Sequence, residues 1–118
     1  MMTTLTRKTG RTGYSSVRAA AQIQASQMAR TGVLEHVVPG TEYPALTNRL
    51  TAVQYLMRAA GENIGEGYRS PTAAVAGWMG SSGHRANIMS KNFTEIGTAV
   101  AVGPRGGIYW VQVFGRPR

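Results

Sequence analysis

The stretch that decides the fold is IGTAVAVGPRGGIYWVQVF, residues 96–114. Its first part, Ile96 to Val102, alternates larger and small side chains, which is typical of a β-strand. Gly103 to Gly107 is rich in glycine and predicts a hairpin loop. The returning segment, Ile108 to Phe114, is apolar at nearly every position, and such a strand is covered on both faces. The stretch therefore predicts an α/β (α+β) fold, an α-β-α sandwich whose small antiparallel sheet has helices on both faces.

Upstream, the first helical pattern begins at Ser15 or Ser16, either of which can act as an N-cap, and it runs to about Arg30. Gly32 provides a natural stop for that helix. Residues 33–44 then form a loop by composition. We therefore expect a loose basic segment over residues 1–14 and one folded domain over residues 15–118.

Two more helical regions lie between this loop and the hairpin. Apolar residues recur at helical spacing from Leu46 to Met57, which predicts a helix that ends before Gly61. The glycine-rich run from Gly61 to Gly67 predicts a turn or loop. Ser70-Pro71 combines an N-cap with proline at the first helical position, so a helix starts there. Gly80 to Gly83 breaks that helix, and His84 to Met89 can form one further short helical turn.

Composition limits the chemistry that this chain can perform. The 118 residues include no cysteine, which excludes disulfides, a thiol nucleophile and thiolate metal ligands. They also include no aspartate, so carboxylate chemistry falls to the C-terminus or to five glutamates, among them Glu62 and Glu95. No apolar run has the length of a membrane span, and residues 1–13 lack the apolar stretch of a signal peptide.

The formal net charge is +8, and five basic residues precede the first acid, Glu35. Such a charge favours contact with anionic surfaces, and binding of that kind weakens steeply with salt. The basic residues are scattered, however, and no aromatic-rich strand motif accompanies them. The sequence therefore disfavours nucleic acid as a partner.

The residues best suited to chemistry are the two histidines, His36 and His84, together with Glu62. Imidazole transfers protons near neutral pH or binds a metal, and Glu62 is presented between Gly61 and Asn63 without large neighbours. Each of the three is also compatible with a purely structural role. Their spacing matches no local zinc motif, so they form one site only if the fold brings them together.

Two further residues enter the candidate set with weaker chemistry. Ser81 precedes His84 closely, but no aspartate is available to orient the imidazole and no Gly-x-Ser-x-Gly motif is present, which disfavours a serine hydrolase. Glu95 opens the first strand of the hairpin, where a strand-edge ion pair is the simpler interpretation.

The order of several motifs resembles a domain of the CAP superfamily, in its bacterial SCP-like branch. The resemblance covers roughly residues 17–115, and its most specific elements are Gly61-Glu62-Asn63-Ile64 and Gly83-His84-Arg85-Ala86-Asn87-Ile88. Supporting stretches are His36 after the alanine-rich helix, Arg49-Leu50, Ala74 to Met79, Phe93 to Gly97 and Tyr109 to Gly115.

The resemblance implies a central antiparallel sheet and changes one local prediction: Leu56 to Ala60 becomes extended, and the preceding helix ends near Val53. It also implies a cleft with two histidines and two glutamates that holds a divalent ion in some members. His36, Glu62 and His84 match three of these positions, and the second glutamate falls on Ser81. The binding cleft is therefore predicted as His36, Glu62, His84, Ser81 and Glu95.

For function, the resemblance implies a secreted or cell-surface domain, and we expect a binding module rather than an enzyme. Its ligand would be a lipid, a peptide, a cell-wall polymer or a protein, and no cofactor is required. The alternative is a metal-assisted hydrolase of peptide or ester bonds, in which His36 and His84 hold a divalent cation such as zinc and Glu62 activates water. A third interpretation is a binder of anionic surfaces.

Overall fold

The computed structural model describes residues 13–118. Their elements, in chain order, are α1 (Gly13–Thr31), α2 (Leu46–Ala52), β1 (Met57–Glu66), α3 (Pro71–Met79), α4 (Ser82–Met89), β2 (Glu95–Val102) and β3 (Ile108–Pro117). The predicted loose segment lies outside the described residues except for its last two positions, Gly13 and Tyr14, which are helical.

The sheet is antiparallel with the strand order β1-β3-β2, so β3 is central and β1 is an edge strand. Val113 of β3 is paired with Glu62 of β1 on one side and with Gly97 of β2 on the other. Residues 109–115 of β3 are all buried. The predicted hairpin and the predicted double cover of its second strand are both confirmed.

Helices cover both faces of this sheet, which confirms the α-β-α sandwich. On one face, α1 and α2 pack over the larger core, which includes the fully buried Met28, Leu50 and Val111. On the other face, α3 and α4 cover a smaller cluster of Ala74, Trp78 and Trp110. The site described below lies where the edge strand β1 meets both layers.

The prediction of a loop over Gly61 to Gly67 is wrong, because β1 continues through Glu66. Only Gly67 turns the chain, with φ +92. Gly61 and Gly65 serve a different purpose: a Cβ at either position would meet the ring of Phe93 or Tyr68 at 2.9 Å. These glycines therefore let aromatic rings lie directly on the strand backbone.

The helix predicted to reach Gly61 from periodicity is also too long. It ends at Ala52, and Gln54 follows in the left-handed region at φ 59, which a continuing helix does not allow. The extended segment that the resemblance implied is correct, since β1 begins at Met57.

The helix starts were predicted with mixed success. Ser15 and Ser16 lie inside α1 rather than at its cap, because the helix already includes Gly13. Ser70 does cap α3: its Oγ accepts a hydrogen bond from the Ala73 amide at 3.1 Å, and Pro71 occupies the first helical position.

Candidate functional site

Glu62 is the buried centre of the candidate site. Its carboxylate lies on the face of β1 that carries the α1–α2 layer, and its side chain is only 2 % exposed. Nη2 of Arg49 donates to Oε1 at 3.2 Å and to Oε2 at 3.0 Å. A buried carboxylate requires such a partner, because removing a charge from water without compensation is very costly.

Arg49 comes from α2 and its side chain is fully buried. Besides Glu62, it donates to three backbone carbonyls of the preceding loop: Nη1 to Tyr43 and Pro44, at 3.0 and 2.9 Å, and Nη2 to His36, at 3.2 Å. Burial lowers the pKa of this guanidinium, while the adjacent Glu62 opposes that shift. Arg49 therefore both neutralises Glu62 and holds the loop that carries His36.

His36 is the accessible member of this group. Its Nδ1 lies 2.9 Å from Oε1 of Glu62, while its side chain remains 55 % exposed. A carboxylate only accepts hydrogen bonds, so Nδ1 carries the proton in this contact. The hydrogen bond to Glu62 raises the pKa of His36, and burial partly opposes it. Within residues 13–118, Nε2 forms no hydrogen bond.

Two glutamines of α1 fix the same loop from the other side. Gln24 donates through Nε2 to the carbonyls of Glu35 and His36, at 2.7 and 3.3 Å. Gln27 forms a reciprocal pair with the backbone of Tyr43: Nε2 donates to its carbonyl at 2.9 Å and Oε1 accepts from its amide at 3.0 Å. The position of His36 is therefore set by buried side chains of two helices.

The opposite face of β1 is occupied by a second polar network. Asn63 donates through Nδ2 to the backbone carbonyl of His84 at 3.0 Å and to Oε1 of Gln112 at 3.2 Å. Asn87 of α4 donates to Oδ1 of Asn63 at 2.9 Å and to the carbonyl of Glu62 at 3.3 Å. Because successive strand residues face opposite ways, Glu62 and Asn63 attach both layers to one point of the edge strand.

The structure brings His36 and Glu62 into direct contact, but it does not place all five predicted cleft residues together. The partly buried imidazole of His84 forms no hydrogen bond with other residues of the 13–118 region. Ser81 precedes α4 and makes no side-chain capping bond. Glu95 lies on β2, two strands from Glu62, and accepts a 2.6 Å hydrogen bond from the hydroxyl of Tyr55.

The donor set does not fit a bound divalent ion as arranged. Both oxygens of Glu62 are engaged by Arg49, and Nδ1 of His36 is engaged by Glu62. Among the described residues, no group of three or more histidine or glutamate side chains is placed to hold a metal. Catalytic zinc sites use three protein ligands, a requirement that this arrangement does not meet.

Five residues that support the site had no predicted role in it: Gln24, Gln27, Arg49, Asn63 and Asn87. Of these, Arg49, Asn63 and Asn87 lie within the motifs that carry the resemblance. One signal was available, since Gln24 lies among the apolar positions of its helix and a polar residue there needs a partner. Arg49 gave no such signal, because arginine is ordinary on a helix and its burial depends on tertiary structure.

The sequence of this chain is similar to that of a known protein family and of two bacterial proteins. Residues 15–114 match the sequence model of the CAP family, described as the cysteine-rich secretory protein family. The uncharacterized protein YkwD of Bacillus subtilis (strain 168) is 33 % identical over 95 residues, which are 80 % of this chain and 35 % of that protein. The uncharacterized membrane protein YlbC of the same strain is 37 % identical over 59 residues, half of this chain and 17 % of its own length.

Two solved structures share the fold. An extracellular SCP-domain protein of Bacillus anthracis str. Ames superposes with a TM-score of 0.74 and 29 % identity, covering 86 % of this chain and 32 % of that one. An outer surface protein of Borrelia burgdorferi gives a TM-score of 0.76 at 16 % identity, covering 87 % of this chain and 74 % of that one. This chain spans about a third of YkwD and of the B. anthracis protein. No helix among residues 13–118 has the length and apolar character to cross a membrane.

Proposed function

The chain belongs to the CAP family, and on that basis we propose that it is an extracytoplasmic binding domain whose ligand contacts His36. Its location outside the cytoplasm is supported by the B. anthracis relative, which is described as extracellular. The B. burgdorferi relative, an outer surface protein, is consistent with the same location.

The observation that carries the proposal is the hydrogen-bonded series Arg49–Glu62–His36. Two of its members are buried, and the third is half exposed with a fixed ring orientation. A polar group held by a buried ion pair is preorganised, so a ligand does not have to order it on binding. Nε2 of His36 accepts a hydrogen bond when the ring is neutral and donates one when it is protonated, a form that Glu62 favours, so it suits a polar ligand group of either kind.

The surroundings of His36 add an apolar component to the site. Leu34 and Val37, close to His36 in the loop, are exposed apolar residues. Ligand sites commonly combine apolar walls with a small number of placed polar groups. A peptide or a lipid offers both features and fits the site better than a uniformly polar polymer.

The geometry gives less support to the alternative, a hydrolase in which Glu62 activates water. A general base must reach the proton it abstracts. Glu62 is 2 % exposed, and both of its oxygens already accept hydrogen bonds within the protein. The same geometry supports an orienting role for Glu62.

The proposal is tested with 15N-labelled protein titrated separately with a random peptide library, a lipid extract and soluble peptidoglycan fragments. A ligand should shift the amides of residues 34–37 and 61–63, and His36→Gln should weaken its binding at least about tenfold, the loss of one well-placed hydrogen bond. Arg105→Gln, a change at an exposed position, is the matched control.

Two results would contradict the binding proposal. One is a ligand that shifts only residues remote from His36 and binds His36→Gln equally well. The other is chemical conversion of a peptide or ester in these mixtures that disappears in Glu62→Gln, which would establish the hydrolase instead.

A further inference from the structure

The end of the sheet where β1 and β2 begin and β3 finishes has a concentration of exposed cations. Arg58 lies in β1, while Arg116 and Arg118 belong to the end of β3 and the residue after it. Lys91 precedes β2, close to the point where the Thr94 amide donates to the Gly115 carbonyl at 3.0 Å. We call this surface the basic end and define it by Arg58, Lys91, Arg116 and Arg118.

Register places these residues on neighbouring strands. Arg116 is paired with Ala59, one residue from Arg58, and Glu95 is paired with Gly115. The backbone amide of Arg118 donates to the carbonyl of Leu56 at 3.2 Å, so Arg118 lies beside the residue that precedes β1. Register therefore places Arg58 and Arg116 on neighbouring strands at one end of the sheet, with Arg118 just beyond them.

Among residues 13–118, the four cations of the basic end outnumber the glutamates beside it. Within residues 13–118, none of its four cations forms an ion pair with a glutamate. Glu66 lies at the opposite end of β1, and Glu62 is paired with Arg49. Glu95 opens β2 at this same end and accepts a hydrogen bond from the neutral hydroxyl of Tyr55, so it offsets one of the four charges and leaves the surface net positive. The positive charge at this surface is consequently available to an external anion.

Two large apolar side chains are exposed near these cations, Leu56 next to Arg118 and Met89 two residues before Lys91. Leu56 immediately precedes β1 and is 70 % exposed, and Met89 ends α4 and is 66 % exposed. Leu56 is adjacent in sequence to Met57, whose carbonyl accepts from Nε of Arg118 at 3.4 Å. Apolar side chains among cations are typical of surfaces that lie in the interface of a lipid bilayer.

From this combination we infer that the basic end docks the domain onto membranes that contain anionic lipids. Arginine and lysine bind lipid phosphates, each such cation strengthening membrane binding about fivefold. Leu56 and Met89 enter the boundary between headgroups and acyl chains. A soluble polyanion would engage the cations alone, so the exposed leucine favours the lipid surface. This docking leaves His36 free, because His36 belongs to the α1–α2 loop and not to the basic end.

The test is cosedimentation of the full chain with phosphatidylcholine vesicles, with and without about one-third phosphatidylglycerol. The wild type should bind only the anionic vesicles. Arg58→Glu/Arg116→Glu/Arg118→Glu should reduce binding more than about 100-fold, from three lost contacts of about fivefold each. A matched triple, Arg30→Glu/Arg69→Glu/Arg105→Glu, alters exposed residues at the other end of the fold. Each triple lowers the formal charge from +8 to +2. If binding depended on net charge alone, the two triple variants would lose vesicle binding equally.

A second variant separates the membrane from a soluble polyanion. Leu56→Ser should weaken vesicle binding several-fold and leave binding to inorganic polyphosphate unchanged. Equal losses in the two triple variants would overturn the assignment of this surface. Vesicle binding that is insensitive to Leu56→Ser would instead show that the basic end recognises anions in general and not a membrane.

Discussion

Nη2 of Arg49 lies within 3.2 Å of both carboxylate oxygens of Glu62, and both side chains are removed from solvent. Because the arginine comes from α2 and the glutamate from β1, this pair joins the helical layer to the edge strand of the sheet. The same guanidinium also reaches the carbonyl of His36. Stability and site geometry therefore depend on one side chain.

Arg49→Leu should destabilise the domain by about 3–5 kcal/mol, because it leaves the charge of Glu62 buried with the half-exposed His36 as its remaining partner. Urea unfolding measures the change. The double variant Arg49→Leu/Glu62→Leu should recover part of that loss, since it removes both charges. Arg105→Leu, an exposed control, should change stability by less than about 0.5 kcal/mol. A single and a double variant of equal stability would show that the lost charge pairing is not the cause.

The contact between His36 and Glu62 should make stability depend on pH. The pKa of His36 is raised in the folded protein, chiefly by its hydrogen bond to Glu62. The added stability is therefore fully present below the unfolded value of about 6.5 and is lost as pH rises through the raised value. Because the ring is half exposed, we expect an effect below about 1 kcal/mol.

Urea unfolding of the wild type and of His36→Gln at several pH values between about 5.5 and 8 measures this effect. The free energy of unfolding of the wild type, relative to that of His36→Gln, should increase as the pH is lowered. NMR titration should also show the pKa of His36 falling when Glu62 is changed to Gln. A stability difference that grows toward alkaline pH would have the wrong sign and would contradict the assigned contact.

Gln27→Ala should loosen the loop that carries His36. Gln27 is buried and bonds both the amide and the carbonyl of Tyr43. The carbonyl keeps its hydrogen bond from Arg49, but the amide loses its partner, at a cost of about 1–3 kcal/mol. Hydrogen exchange should accelerate at the Tyr43 amide. Gln22→Ala, in the same helix but exposed, should leave that amide unchanged. Unchanged exchange in Gln27→Ala would show that other contacts hold the loop.

Gly97→Ala should weaken the packing of α1 on β2. A Cβ at this position would lie 2.5 Å from Cα of Arg18, so the helix backbone would have to move, and we expect a loss of at least about 2 kcal/mol. Gly83→Ala provides the contrast. A Cβ there meets nothing within 4 Å, and alanine in α4 should add about 0.5–1 kcal/mol. Thermal unfolding measures the change in Tm for each variant. Equal changes in Tm for Gly97→Ala and Gly83→Ala would exclude close packing as the cause.

The fold was predictable because its decisive features are local. The apolar run of β3 and the Ser70-Pro71 start of α3 each depend on a few adjacent residues, and both are confirmed. The loop predicted at Gly61 was wrong because glycine has two uses that look the same in a sequence. It permits turns, and it also permits a ring such as that of Phe93 to lie against a strand.

The site was only partly predictable. His36 and Glu62 stand out as rare residue types, and their contact is observed. The residues that hold His36 and Glu62 in place were not predictable in this way, because the burial of Arg49 depends on the loop and strand that enclose it. A single sequence shows that an arginine is present, but not that its charge is withdrawn from water.

The loop between α1 and α2 has one property with a wider consequence. Gln24, Gln27 and Arg49 all hold it through its main-chain atoms, at residues 35, 36, 43 and 44. Main-chain atoms are the same for nearly every amino acid, so these anchors do not require particular side chains at the positions between them. Recognition can thus diversify at positions such as Glu35, Val37 and Glu42 while the fold stays fixed. The loop between α1 and α2 can therefore change its side chains, in evolution or by protein engineering, while the rest of the domain stays the same.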